Sequence, residues 1–185
     1  GVHMSQPDAI FTTQEYRDRI AKTRAAMIAA NLDAIFVTDP SNMSWLTGYD
    51  GWSFYVHQGV LLTLEGDPIW WGRAMDALGA RRTVFMGSDD NIRGYDDTFV
   101  QNPDKHPMQE LAAIISEQGL ERAVIGVEMD NYYYTAAAHA TLTAALPHAS
   151  IPDATGLVNW QRAIKSPQEI EYMRRAARIV ESMHA

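Results

Sequence analysis

Tyr16, Ile20, Met27 and Ile28 recur at helical spacing behind Thr12 and Glu15, which are placed as a capping box, and this predicts a helix to about Asn31. The apolar run Ala34-Ile35-Phe36-Val37 predicts a strand, after which Asp39-Pro40-Ser41-Asn42 is expected to break the chain into a loop. Gly59 to Leu64 and Ile69 to Arg73 flank Glu65-Gly66-Asp67-Pro68 as an antiparallel hairpin would, with a short helix over Ala74 to Arg81. Met108, Leu111, Ala112 and Ile115 lie on one helical face that Gly119 closes. Ala123 to Val127 is continuously apolar, as in a central strand buried on both faces, and Thr135 to Leu146 predicts a helix stopped by Pro147. Ser166, Pro167 and Glu169 mark a strong helix start, and Ile170, Met173, Ala177 and Val180 then form one apolar face. Such a face needs a partner, because tertiary packing supplies most helical stability.

A hairpin followed by alternating helices and strands predicts an α/β fold, a three-layer α/β/α domain on a mixed sheet. The expected division is a tag remnant and flexible N-terminus over 1–10, the domain over 11–164, and over 165–185 a joint and first helix leading toward a second domain. Gly1-Val2-His3 ahead of Met4 has the look of a cloning remnant.

Composition narrows the chemistry. The 185 residues are 46% hydrophobic and 21% charged, enough for one domain with a sizeable core. No cysteine is present, which excludes disulfides, thiolate metal sites and a cysteine nucleophile. A formal charge of -8 disfavours nucleic acid and acidic membrane surfaces. The basic set Arg17, Arg19, Lys22 and Arg24 is spaced as the solvated side of a helix. No apolar run reaches the roughly 18 residues of a membrane span, and a cytoplasmic location is expected.

Known catalytic patterns are missing. His3, His57, His106, His139, His148 and His184 show no paired ligand spacing, and phosphate-binding glycine motifs and the G-x-S-x-G nucleophile turn do not occur. The acidic pairs Asp89-Asp90 and Asp96-Asp97 are expected to be solvated turns. What stands out is the segment from Asn42 to His57, where Trp45, Tyr49, Trp52, Phe54 and Tyr55 crowd around Gly48 and Gly51. Aromatic side chains on a glycine-punctuated turn suit either a hydrophobic plug or a surface completed by a ligand.

Asn42-Met43-Ser44-Trp45-Leu46-Thr47-Gly48-Tyr49 after the first strand, together with Arg162-Ala163-Ile164-Lys165-Ser166-Pro167-Gln168-Glu169, closely resembles the creatinase/prolidase N-terminal domain and its joint to a catalytic domain. The match runs from about Phe11 to Ala185, and the fold it implies is the ribonuclease-H-like, three-layer one. The stretches 39–43, 48–58, 127–133 and 157–162 resemble the branch that opens the cyclic amidine ectoine, ahead of the Xaa-Pro dipeptidases and creatinase-like members.

The resemblance implies a non-catalytic domain of a dimeric C–N hydrolase, with chemistry carried by a C-terminal domain and with this fragment inactive alone. It implies no catalytic or metal residue in this chain. Two divalent metals would belong to the other domain in a peptidase; creatinase-like members work without metals, and for the ectoine-opening branch the resemblance leaves both options open. The expected partners are that domain, a second copy and a small-molecule substrate. Tyr49, Asp50, Trp52, Phe54, Tyr55 and His57 are the implied substrate-side residues. Trp45 is expected in the core, and Trp71 and Arg73 are weaker candidates. If residues 52–57 are extended, only one parity of side chains can face a ligand. A free-standing binding or dimerisation module is the alternative from another class.

Overall fold

The computed structural model describes residues 11–51 and 56–184. The elements run α1 (Thr13–Ala29), β1 (Ala34–Val37), α2 (Pro40–Thr47), β2 (Gly59–Thr63), β3 (Ile69–Arg73), α3 (Ala77–Thr83), β4 (Ile92–Tyr95), α4 (Met108–Glu117), β5 (Ile125–Val127), α5 (Ala136–Ala145), α6 (Leu157–Ala163) and α7 (Pro167–His184). The sheet order is β4-β3-β2-β1-β5. β2 pairs antiparallel with both β1 and β3, while β4 runs parallel to β3 and β5 parallel to β1. The mixed sheet with its hairpin is as the sequence predicts.

Strand alternation sorts the core into two layers. Ile35, Val37, Val60, Leu62 and Trp70 pack with Tyr16, Ile20, Met27 and Leu46 from α1 and α2. Phe36, Leu61, Trp71 and Tyr95 face the other way, onto Leu111 and Ile115 of α4 and Leu142 of α5. Trp70 and Trp71, adjacent on β3, are thus buried on opposite faces. That makes Trp71 a core residue; Arg73 pairs with Asp97 at 2.7 Å.

Three expectations change. Asp39-Pro40 opens a helix instead of a loop: the Asp39 carboxylate accepts from the Ser41 and Asn42 amides at 2.7 and 3.2 Å, and Pro40 fills the first turn. Gly48 ends α2 at φ 87°, where a Cβ would also come within 2.8 Å of the Thr83 carbonyl and 2.9 Å of the Tyr16 hydroxyl. β5 is not central but outermost of the named strands, and its outer edge bonds to 150–154 through Ile125 to Ser150, Val127 to Pro152 and Ala154 to Val127. It can be covered this closely because a Cβ on Gly126 would sit 2.7 Å from Ala154 and 2.8 Å from Leu32. β4 is additional, an edge strand between the two acidic pairs.

Candidate functional site

The carboxyl ends of β1 and β5 lie side by side, the position at which α/β sheets commonly present ligand sites. Glu128, directly after β5, is 3% exposed. One of its oxygens accepts from the Thr38 and Asp39 amides at 2.8 and 2.9 Å, and the other from the Asn42 side chain at 2.6 Å. Burial pushes the Glu128 carboxyl up, and these donors oppose it. Asn42 also donates to Asn159 at 2.8 Å and accepts from Arg162 at 2.9 Å. The amino end of α2, the end of β5 and α6 are thereby fixed to one another.

A second polar cluster closes the other side of α2. Arg19 is 4% exposed, which corrects the reading of its basic set as solvated. It sits three residues after Tyr16, on the buried face of α1. Its guanidinium donates to Glu15 at 3.3 Å and to the Trp45 carbonyl at 2.8 Å, pairs with Glu169 at 3.5 Å, and lies 4.4 to 5.3 Å from the Phe11, Tyr16 and Trp45 ring centres. The rest of the set is engaged as well: Arg17 with Asp67, Lys22 with the Ile164 carbonyl and Arg24 with the Thr63 and Gly66 carbonyls.

Glu169 caps its own helix reciprocally with Ser166, at 3.0 and 3.1 Å, and accepts from the Trp45 indole at 3.2 Å. Burial works to raise the Glu169 carboxyl, but the Ser166 amide, Arg19 and Trp45 together hold it below its ordinary value. Ser166 donates in turn to Glu15. Trp45 is therefore the buried base that the sequence predicts, 6% exposed. Between these clusters opens a groove of about 420 Å³, lined in part by Arg19, Trp45, Asp50, Arg162, Lys165 and Glu169.

The predicted substrate-side residues separate. Tyr49 is 4% exposed, its ring 5.4 Å from Trp70 and its hydroxyl donating to Gln58 at 3.2 Å. Burial pushes its phenol up to about 12. Asp50 is exposed, with its amide on the Thr83 hydroxyl at 3.3 Å. His57 lies away from the groove, its ring centre 4.6 Å from that of His106. Trp52, Phe54 and Tyr55 fall outside the described residues. The structure thus brings Tyr49 and Asp50 to the α2 groove and assigns His57 to another cavity.

Arg19, Asn42, Glu128 and Arg162 had no role in the chemistry read from sequence, although the spacing of Arg19 from Tyr16 was a usable signal. Among the described residues that line the groove, no nucleophile is hydrogen-bonded to a base, and the buried Arg19 and Glu169 pair with each other. Among the described residues, no group of three or more His, Asp or Glu side chains stands close enough to hold a metal ion, and no helix is long and apolar enough to cross a membrane.

The model of the creatinase/prolidase N-terminal domain matches residues 19–164. The chain belongs to that family. This creatinase/prolidase N-terminal domain is 57% identical over 183 residues to the ectoine hydrolase of Halomonas elongata, covering 98% of the chain and 46% of that enzyme. It is 42% identical over 174 residues to an uncharacterized hydrolase/peptidase of Sinorhizobium fredii, covering 94% of the chain and 44% of that protein. Among solved structures, an Xaa-Pro dipeptidase from Bacillus anthracis shares the fold at a TM-score of 0.69 and 20% identity, over 90% of this chain and 41% of that one. The domain spans about half the length of the curated relatives it matches.

Proposed function

We propose that this domain is the amino-terminal, non-catalytic half of a dimeric C–N hydrolase that opens the ring of ectoine to acetylated diaminobutyrate, and that it supplies dimer contacts and one wall of the active site. The observation that carries the reading is the 57% identity along 98% of the chain to an ectoine hydrolase. The catalytic half is the remainder of the longer protein, which α7 enters. The exposed apolar residues of α7, Ile170, Met173 and Val180 among them, support a partner packed on that helix. In this arrangement α2, locked by the Glu128 and Arg19 clusters, is the rigid base from which the aromatic segment reaches a substrate held by the other half. Trp52, Phe54 and Tyr55 would offer aromatic faces to the delocalised amidinium. Asp50 would offer a polar contact, and Tyr49 would hold the segment from below.

Turnover of the full-length protein with ectoine, hydroxyectoine and an Xaa-Pro dipeptide tests the substrate. Ectoine is expected to react, and hydrolysis of the dipeptide alone would replace the proposal with the peptidase reading, in which the catalytic half carries two divalent metals. Trp52→Ala or Tyr55→Ala is expected to lower kcat/KM for ectoine about tenfold, the loss of one desolvated cation–π contact. Unchanged kinetics in both variants would remove the wall.

A further inference from the structure

On the face of the sheet that carries α4, His57 and His106 line a cavity of about 190 Å³ together with Lys105. We propose that this cavity is a binding site for a small organic carboxylate, whose head lies against His57, His106 and Lys105 and whose body lies against Phe99, Val100 and Pro107.

The first argument is charge. In a chain of 23 acidic and 15 basic residues, the lining contains two imidazoles and an ammonium and no carboxylate. The groups facing His57 are His106 and Lys105 from the segment before α4 and Tyr95 from β4. Asp76 and Asp97 act on Tyr95 from outside the lining, where Arg73 holds Asp97, and Asp104 lies beside Lys105 but does not line the cavity. An anion therefore meets donors without meeting an opposing charge.

The second argument is geometry. The Tyr95 hydroxyl donates to the His57 carbonyl at 2.5 Å and so fixes the backbone that carries the ring. The His106 Nδ1 accepts from the Met108 amide at 3.1 Å, which leaves the proton of a neutral ring on Nε2 as a donor. The His57 ring bonds to none of the described residues. Gln101, at the same cavity, holds φ at 51°, a left-handed conformation that a side-chain-bearing residue adopts at a cost. Val56, Phe99, Val100 and Pro107 supply apolar wall beside the uncharged Gln101 and Asn102, which suits a carboxylate with a short hydrocarbon body.

Binding would be coupled to protonation. In the free domain, burial and the neighbouring His106 hold His57 down to about 4, and burial lowers His106 as well. A bound carboxylate reverses this preference by pairing with the imidazolium, so each anion that enters takes up a proton. Its affinity then rises as pH falls, by up to about tenfold per pH unit.

The test is an NMR titration of the 185-residue chain with acetate and, separately, with inorganic phosphate at pH 7, 6 and 5, reading the His57 and His106 ring signals. Saturable shifts of both rings with acetate, tightening toward pH 5 and weakened at least several-fold in Lys105→Ala, are expected. Lys105 is exposed, so that variant keeps the fold. His57→Phe is expected to weaken the pH dependence, leaving the part carried by His106. Absence of saturable shifts, or binding unchanged in both variants, would overturn the proposal. Phosphate binding more tightly than acetate would overturn the assignment to a carboxylate.

Discussion

The polar cluster around Arg19 and the histidine pair at His57 occupy opposite faces of one sheet and solve opposite problems. Arg19 is almost fully buried, yet its charge is answered by Glu15, Glu169, a carbonyl and aromatic faces. His57 and His106 are less buried, but burial penalises the charge of both, and His106 adds to the penalty at His57. A saturated cluster holds elements in place, because any change leaves a buried charge without its partner. An under-answered cluster responds to protons and ligands. The domain uses the first to fix α2 and the joint, and the second at a cavity open to small molecules.

The largest effect separating the two regions is expected from Arg19→Ala. It leaves Glu15 and Glu169 buried without their shared cation, and removal of one partner from such a cluster costs about 3–5 kcal/mol. A urea midpoint within experimental error of the parent would show that solvent reaches the cluster and that it holds nothing.

A smaller effect is expected from where the last helix is cut. The sequence places the joint at Lys165, with the helix beyond it belonging to another domain. In the structure the first turn of α7 belongs to this core. Glu169 binds Arg19 and the Trp45 indole, Ser166 binds Glu15, and Tyr172 packs 5.6 Å from Phe11, whereas Met173, Ile179 and Val180 are exposed. A chain ending at Lys165 is expected to lose about 2–3 kcal/mol, through the unpaired Trp45 donor and the weakened Arg19 cluster. A chain ending at Arg174 is expected to unfold at the same urea concentration as the full chain. Equal midpoints for the two truncations would return the whole helix to the other domain.

Why the sequence left the contacts of the first turn of α7 unseen, and what else it concealed, follows from the kind of signal each residue carries. α1, α4 and α5 were legible because each has one period and one buried face, and the hairpin because two apolar runs flank a Gly-Asp-Pro turn. β4 was not, since its buried residues Ile92 and Tyr95 are three apart and point to opposite layers, with Arg93 and Gly94 between them. Asp39-Pro40 was ambiguous because the same two residues suit a turn and a helix start. α6 buries only Val158 and leaves little pattern. In the candidate site, Trp45 was legible as an aromatic in an apolar context. The carboxylates that neutralise Arg19 come from α1 and from the far end of the chain, and a distant partner leaves no local trace. The pairing of His57 with His106 is likewise set by how the loops before β2 and α4 meet, which only the tertiary fold determines.

The finest separation of the two regions is by pH. Glu169 is held below its ordinary value, so its contribution to stability is present at neutral pH and is lost only as pH falls through the acid range below about 4. His57 acts in an earlier window. Its folded value of about 4 lies below the 6.5 of an unfolded chain, so between these limits the unfolded state binds more protons, and stability decreases as pH falls from 6.5 to 4. Partial exposure screens the effect, leaving a loss on the order of 2 kcal/mol across that window. His57→Gln removes its titration and is expected to reduce the slope of the stability profile between pH 6.5 and 4 to the part that His106 carries, with the acid limb assigned to Glu169 left in place. Adding acetate to the parent chain should flatten the same window, because an anion that raises the imidazole toward its unfolded value removes the difference in proton binding between the two states. If His57→Gln keeps the full slope above pH 4, the histidine pair is not the proton-responsive region, and the contrast with the Arg19 cluster fails on that face of the sheet.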